Sequence, residues 1–113
     1  DNNYPFIKMM SEAGIRLVTG TDCGAEASQT TPVGHTTHRE IAMFVEAGMA
    51  PAAAIRAATL DAARVLERTE DPPYGSIRTG KVADLVVLSA DPLADINNTI
   101  EIDRVMKAGK WVP

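Results

Sequence analysis

A single carboxylate stands at the end of an apolar run, Ile15-Arg16-Leu17-Val18-Thr19-Gly20-Thr21-Asp22. The run reads as a short buried strand that delivers Asp22 to its C-terminal tip, where α/β folds handle ligands and metals. A carboxylate at such a tip serves a ligand or a metal, or else caps the turn that follows. The spacing alone leaves both roles open. His35 and His38 lie three residues apart, a separation that on a helix lets both serve one metal. They start in a Gly-Thr loop, however, so packing or contact with a substrate is favoured over ligation. Cys23 follows the aspartate, but a nucleophilic thiolate needs a basic partner and none stands nearby in sequence. A small residue beside a site is the simpler reading. Glu40, three positions after Thr37, fits a capping box at a helix start. Gly20, Gly24 and Gly34 form neither a dinucleotide fingerprint nor a P-loop, and Gly80-Lys81 is a β-turn.

The elements that must position these residues are legible in the periodicity. Pro5 to Ala13 carries a helical pattern, with Phe6, Ile7, Met9, Met10 and Ala13 opposite Lys8, Ser11 and Glu12 and a stop at Gly14. Ile15 to Thr19 follows as a strand, so helix, turn and strand form half of a βαβ repeat. Cys23 to Thr37 is a Gly-, Ser-, Thr- and Pro-containing loop of about fifteen residues, long enough to suggest function or motion. From His38 a helix runs to Gly48 with Ile41, Phe44 and Val45 on one face. Pro51 opens a helix to Ala58 that groups Ile55 with Ala58, and Thr59 caps a further helix, Leu60 to Glu67, with Leu60, Ala63 and Leu66 inward.

Glu67 to Pro73 is charged, contains Pro72 and Pro73, and divides the chain. Beyond it the pattern is strand-like. Gly75-Ser76-Ile77 and Ala83 to Leu88 read as strands, Asp91-Pro92 as a turn, and Ile102 to Lys107 as another strand ahead of a turn at Ala108-Gly109-Lys110. Asp84, the odd residue of its strand, is expected to bond the Gly80-Lys81 turn, and Trp111 to pack inside the sheet. Residues 1–67 thus resemble the last βα piece of a larger α/β layer with added helices. Residues 74–113 read as antiparallel β-structure. Neither half is a complete fold, because a lone parallel strand exposes both edges.

Composition narrows the class. A chain of 113 residues is one domain's worth, able to bury roughly two-thirds of its unfolded surface. Its net charge of −4 argues against nucleic acid and anionic membranes as partners. No apolar stretch reaches the roughly 18 residues of a membrane span. The sole cysteine excludes an intrachain disulfide. No starting Met and no secretory leader are visible, so a processed chain or a fragment is expected, cytoplasmic rather than secreted.

The order of motifs is more specific than any one of them. Gly20-Thr21-Asp22 is followed by His38-Arg39-Glu40-Ile41 through Val45-Glu46-Ala47-Gly48-Met49, then Ala54-Ile55-Arg56-Ala57-Ala58-Thr59 and Ala62-Ala63-Arg64-Val65-Leu66. Gly75-Ser76-Ile77, Gly80-Lys81-Val82-Ala83-Asp84-Leu85-Val86-Val87-Leu88, Asp91-Pro92-Leu93 and Val105-Met106-Lys107-Ala108-Gly109-Lys110 complete the series. Over residues 6–112 this set resembles the C-terminal third of the metal-dependent amidohydrolase superfamily, in particular its imidazolonepropionase-like and prolidase-like members. The resemblance implies an α/β fold: the C-terminal fragment of a (β/α)8 TIM barrel, its last strand and helices in residues 1–67, with the C-terminal part of a small flanking β-sandwich in 74–113.

It also implies chemistry. Asp22 matches the family's last-strand aspartate, which ligates a metal and takes a proton from the attacking water. One or two divalent ions, zinc in the usual case, would serve the complete enzyme. The His-x-His pair, the mid-barrel Lys or Glu and two later histidines would lie upstream of Asp1. His38 matches a residue opening the helix after the last strand, and both His35 and His38 are expected near the substrate, a small amide or peptide-like molecule. The rest of the barrel is a required partner, and self-association is open. The 113 residues alone would be inert, since a catalytic metal needs about three protein ligands. Two other classes remain: a non-catalytic packing or binding module, and a receiver-like signalling domain with Asp22 as phosphate acceptor. The antiparallel tail speaks against the second.

Overall fold

The computed structural model describes residues 4–22 and 33–113. The expectations placed on Cys23, Gly24 and the loop as far as Pro32 lie outside the described residues. Four helices come first: α1 (Tyr4–Glu12), α2 (His35–Glu46), α3 (Pro51–Ala58) and α4 (Leu60–Glu67). Their limits follow local chemistry. Pro51 occupies the first turn of α3, where its missing N–H costs nothing. After α2 the chain turns through Gly48 at φ 103°, while the Gly48 and Met49 N–H groups cap the Val45 and Phe44 carbonyls. None of the described helices is long and apolar enough to cross a membrane.

The core lies between α2 and α3. Ile41, Ala42 and Phe44 meet Ala54 and Ala57, with Ile7, Leu17, Val45, Met49, Ile55 and Ala58 packed around them. Ala54 and Ala57 are 0% and 1% exposed, small side chains that let the helices approach closely. In α1 only Ile7 and Met10 of the expected apolar face turn inward, while Phe6 and Met9 stay exposed. In α4 the buried residues are Asp61 and Ala63, and Leu66, expected inside, is 73% exposed. Asp61 wins the inner place because its charge is matched there. It accepts from Arg56 Nε at 2.8 Å and Arg64 Nη1 at 2.9 Å, with Arg16 Nε at 3.8 Å. Arg16 in turn forks Glu70 at 2.9 and 2.8 Å.

Ile15–Thr19 does not form the expected strand, and residues 15–22 run as irregular backbone. Strand structure belongs to a pair, and no described segment offers this one a ladder. Gly75-Ser76-Ile77 is likewise a bend, with Ile77 87% exposed.

Between the helices and the sheet, Pro72 is fully buried. Lys81 Nζ bonds Asp71 and the Pro72 carbonyl, and Val82 N–H donates to the Pro73 carbonyl at 2.8 Å. The sheet is antiparallel, ordered β1 (Leu85–Leu88), β2 (Ile102–Lys107), β3 (Lys110–Trp111), with Val86 opposite Val105 and Met106 opposite Trp111. Ala108 and Gly109, at φ 48° and 78°, make the mirror-image turn that suits the twist of a two-residue hairpin. Asp84 serves this turn rather than Gly80-Lys81: it accepts from Ala108 N–H at 2.7 Å and pairs with Lys107. The Lys107 ammonium, and after it the Ala108 N–H, hold Asp84 below the usual carboxylate range. Trp111 is half exposed, with the Arg104 guanidinium 4.7 Å above its ring. Between β1 and β2 a 3₁₀ turn, Ile96–Ile100, inserts Ile96 into the α2–α3 core.

Two stability effects follow. At Gly75, φ is 89°, and a Cβ would stand 2.9 Å from Ala63 Cβ and 3.1 Å from Leu60 Cα and Thr59 O. Gly75→Ala combines a left-handed backbone penalty with overpacking, about 2–4 kcal/mol together, read as a lower denaturant midpoint. Asp61→Ala leaves three guanidinium groups around a vacated buried anion. Its expected cost is about 2–3 kcal/mol by the same measurement, below that of a fully buried pair because Arg56 is well exposed.

Candidate functional site

Asp22 ends a segment held by four different means. Arg16 is tied to Asp61 and Glu70, and Leu17 packs against the core. Thr19 N–H donates to the Ala57 carbonyl of α3 at 3.4 Å. Gly20 N–H donates to both carboxylate oxygens of Glu40 on α2, at 3.0 and 3.1 Å. Asp22 itself has φ 47°, a left-handed conformation that Asp tolerates better than most side chains. Its residue is exposed, and among the described residues its carboxylate forms no hydrogen bond or ion pair. The segment is thus fixed along its length and presents a free carboxylate at its end.

The Glu40 contact replaces the expected capping box. Helix α2 begins at His35, after Gly34, so Thr37 lies inside the first turn and Glu40 well beyond the cap. Its side chain turns outward to a backbone N–H twenty residues earlier. The sequence does hold a signal for this, since Gly34 precedes an unbroken polar and apolar helical pattern from His35.

His35 is exposed on the first turn of α2 and His38 follows one turn later, half buried. The two rings are close enough to interact electrostatically. Burial first, and His35 second, lower the His38 pKa below 6.5. Its Nδ1 is buried and, among the described residues, without a hydrogen-bond partner. His38 lines a mainly apolar cleft of about 580 Å³ between the helices and β1, beside Ile41, Ile55, Thr59 and Leu85. Neither Asp22 nor His35 lines that cleft. The histidines therefore neighbour each other, and the structure does not gather them and Asp22 into one pocket.

Among the described residues no three His, Cys, Asp or Glu side chains are placed to hold a metal ion together. The chemistry of the donors present fits one ligand of a set. Asp22 offers an exposed, unpaired carboxylate suited to a divalent cation. Further donors would have to come from outside the described residues.

The model of the amidohydrolase family matches residues 1–112. An imidazolonepropionase from Salinispora tropica is 35% identical over 88 residues, covering 77% of this chain and 21% of its own. A putative prolidase structure from Bifidobacterium longum is 37% identical with a TM-score of 0.81, covering 94% of this chain and 25% of its own. A molinate hydrolase structure is 35% identical with a TM-score of 0.80, again over 94% of this chain and 25% of the other. The chain therefore spans a fifth to a quarter of the length of these relatives.

The state of His38 has a measurable consequence. Its folded pKa lies below its unfolded value, so the unfolded chain binds the extra proton first as pH falls. Stability is undiminished above about 6.5, declines as pH drops through the window down to the folded pKa, and stays reduced below it. His38→Asn, neutral throughout, should show a smaller loss of urea midpoint between about pH 7 and about pH 5 than the parent protein. An unchanged slope would show that His38 does not carry this dependence.

Proposed function

This chain belongs to the amidohydrolase family, and from that premise we propose that it is the C-terminal portion of a metal-dependent hydrolase cleaving amide or other C–N bonds. On this reading residues 1–67 close a (β/α)8 barrel and 74–113 contribute to a flanking β-sandwich. The match from residue 1 to residue 112 supports this, as do relatives about four times longer. The observation that carries the site is Asp22: an unpaired, exposed carboxylate at the end of a segment that is held along its length.

Asp22 would hold a divalent ion, zinc by the family resemblance, jointly with donors from the rest of the protein. Such an ion lowers the pKa of bound water toward neutrality. The part played by this chain is proton handling and orientation. An Asp22 oxygen accepts the proton of the attacking water and returns it to the departing nitrogen, which must be protonated to leave. Because the backbone before it is fixed at Arg16, Thr19 and Gly20, the carboxylate loses little freedom on reaching its working place. His35 and His38, on the first turns of α2, are read as contacts for an amide or peptide-like substrate at the rim.

The test is Asp22→Ala in the intact protein. Turnover of amide substrates should fall by about 10³-fold, within the range for loss of general acid–base catalysis, and bound metal measured by mass spectrometry should drop with it. Full metal content together with undiminished turnover would remove Asp22 from both roles. If the intact parent protein itself neither binds metal nor hydrolyses amides, the fold serves as a packing or binding module instead.

A further inference from the structure

At the opposite end of the segment from Asp22, a cavity of about 270 Å³ lies between α1, residues 15–17, α3 and α4. Arg16, Arg56 and Arg64 line it with Ser11, and among the described residues its wall carries one acid, Asp61. We propose that this cavity binds a tetrahedral oxyanion, either inorganic phosphate or the phosphate group of a larger molecule. The site is independent of the reading of Asp22.

Charge is the first observation. Three guanidinium groups meet two carboxylates, Asp61 and Glu70, which leaves one positive charge over. Those two acids do not weigh equally at the cavity. Glu70 does not line it, and with its side chain 72% exposed its charge is screened by water. Asp61 is buried but already engaged by Arg56 Nε and Arg64 Nη1. Arg16 Nε stands 3.8 Å away from it, beyond hydrogen-bond reach. One buried carboxylate therefore leaves part of the charge gathered around it uncompensated.

Spare donors are the second. A guanidinium carries five N–H groups and no acceptor. Arg56 spends only its Nε, on Asp61, while Arg64 spends Nε on the Glu70 carbonyl and Nη1 on Asp61. Both terminal nitrogens of Arg56, and Nη2 of Arg64, have no hydrogen-bond acceptor among the described residues. Arg16 gives both its terminal nitrogens to Glu70, so it adds charge more than donors.

The spread of the arginines decides the shape of the ligand. They come from three pieces of chain: the segment before Asp22, α3 and α4. A carboxylate offers two oxygens in one plane and suits a single guanidinium fork. A tetrahedral oxyanion offers acceptors in several directions and suits donors that converge from different elements.

The experiment is titration calorimetry of the intact protein with inorganic phosphate at constant ionic strength, with urea midpoints to verify folding. Phosphate should bind saturably, one ion per chain, and acetate about 10-fold more weakly. Arg56→Gln removes a charge and the spare donors of an exposed side chain, and should weaken phosphate about 10-fold. Glu70→Gln removes a competing negative charge and should tighten it about 2- to 5-fold, a gain that damaged folding would not produce. Asp22→Ala should bind phosphate as the parent does, because Asp22 does not line the cavity. Methyl phosphate separates the two sources. Affinity equal to that of inorganic phosphate supports a group carried by a larger molecule, and about 10-fold weaker binding supports the free ion.

The site is overturned if phosphate gives no saturable heat, if acetate binds as tightly, or if Glu70→Gln leaves the affinity unchanged. Parental affinity in a folded Arg56→Gln protein overturns it too. Loss of phosphate binding in Asp22→Ala would move the ion to the proposed catalytic centre and overturn the cavity as its site.

Discussion

Residues 15–22 are an apolar segment with a strand's composition and, among the described residues, no strand to pair with. Backbone N–H and C=O groups left without ladder partners must bond elsewhere or face water. Much of the helical part is arranged around meeting that demand. The α3 helix supplies the Ala57 carbonyl to Thr19 N–H and α2 supplies the Glu40 carboxylate to Gly20 N–H, while α4 with its following loop holds the Arg16 side chain through Asp61 and Glu70. Three successive helices thus contribute to the placing of one short segment, and the proposed site sits at its end.

Asp61 makes the first of these holds possible. A carboxylate taken out of water is costly unless charges and hydrogen bonds replace the lost solvation. At 3% exposure Asp61 receives two short guanidinium bonds and a third arginine nearby. Those arginines come from α3, α4 and the segment before Asp22, so the compensation of one charge fixes three pieces of chain relative to one another. The sheet is joined to the same unit by Ile96 in the core, by Pro72 buried under Lys81, and by Gly75 pressed against α4. The junctions differ in kind: Ile96 buries an apolar side chain, Lys81 reaches across as a donor, and Gly75 lets the backbone come close.

What the sequence disclosed divides along a physical line. Helix limits depend on local chemistry, so Pro51 and Gly48 marked theirs closely, while α2 starts at His35, three residues before the expected His38 and inside the expected loop. The strand at 102–107 was legible because Ile102, Val105 and Met106 stand next to a hairpin turn at Ala108-Gly109. Ile15–Thr19 and Gly75–Ile77 were not, because a strand exists only with a neighbour, and composition does not say whether one is present. The inner face of α4 was misjudged for a related reason. Hydrophobicity favours Leu66 over Asp61, and only the arrival of Arg56, Arg64 and Arg16 in space reverses the order. Asp84 and Glu40 were assigned to their nearest turn and nearest cap in sequence, whereas both bond backbone groups twenty or more residues away. Of the candidate site, the adjacency of His35 and His38 was readable, whereas the strand expected to carry Asp22 is irregular backbone. The hold on the backbone before Asp22 was not readable.

Charge is distributed unevenly along the segment that leads to Asp22. At its start the arginines engage Asp61 and Glu70 in one network. At its end stand Asp22 and Glu40, and among the described residues neither is engaged by a lysine or arginine. The Glu40 carboxylate is taken up by the Gly20 N–H, whereas that of Asp22 is exposed. An exposed carboxylate with no arginine or lysine partner reaches a cation without first giving one up, whereas Asp61 is committed to its arginines and a cation would have to displace them. The two aspartates therefore divide the work along the segment: the paired one fixes its start, and the unpaired one is left available at its end.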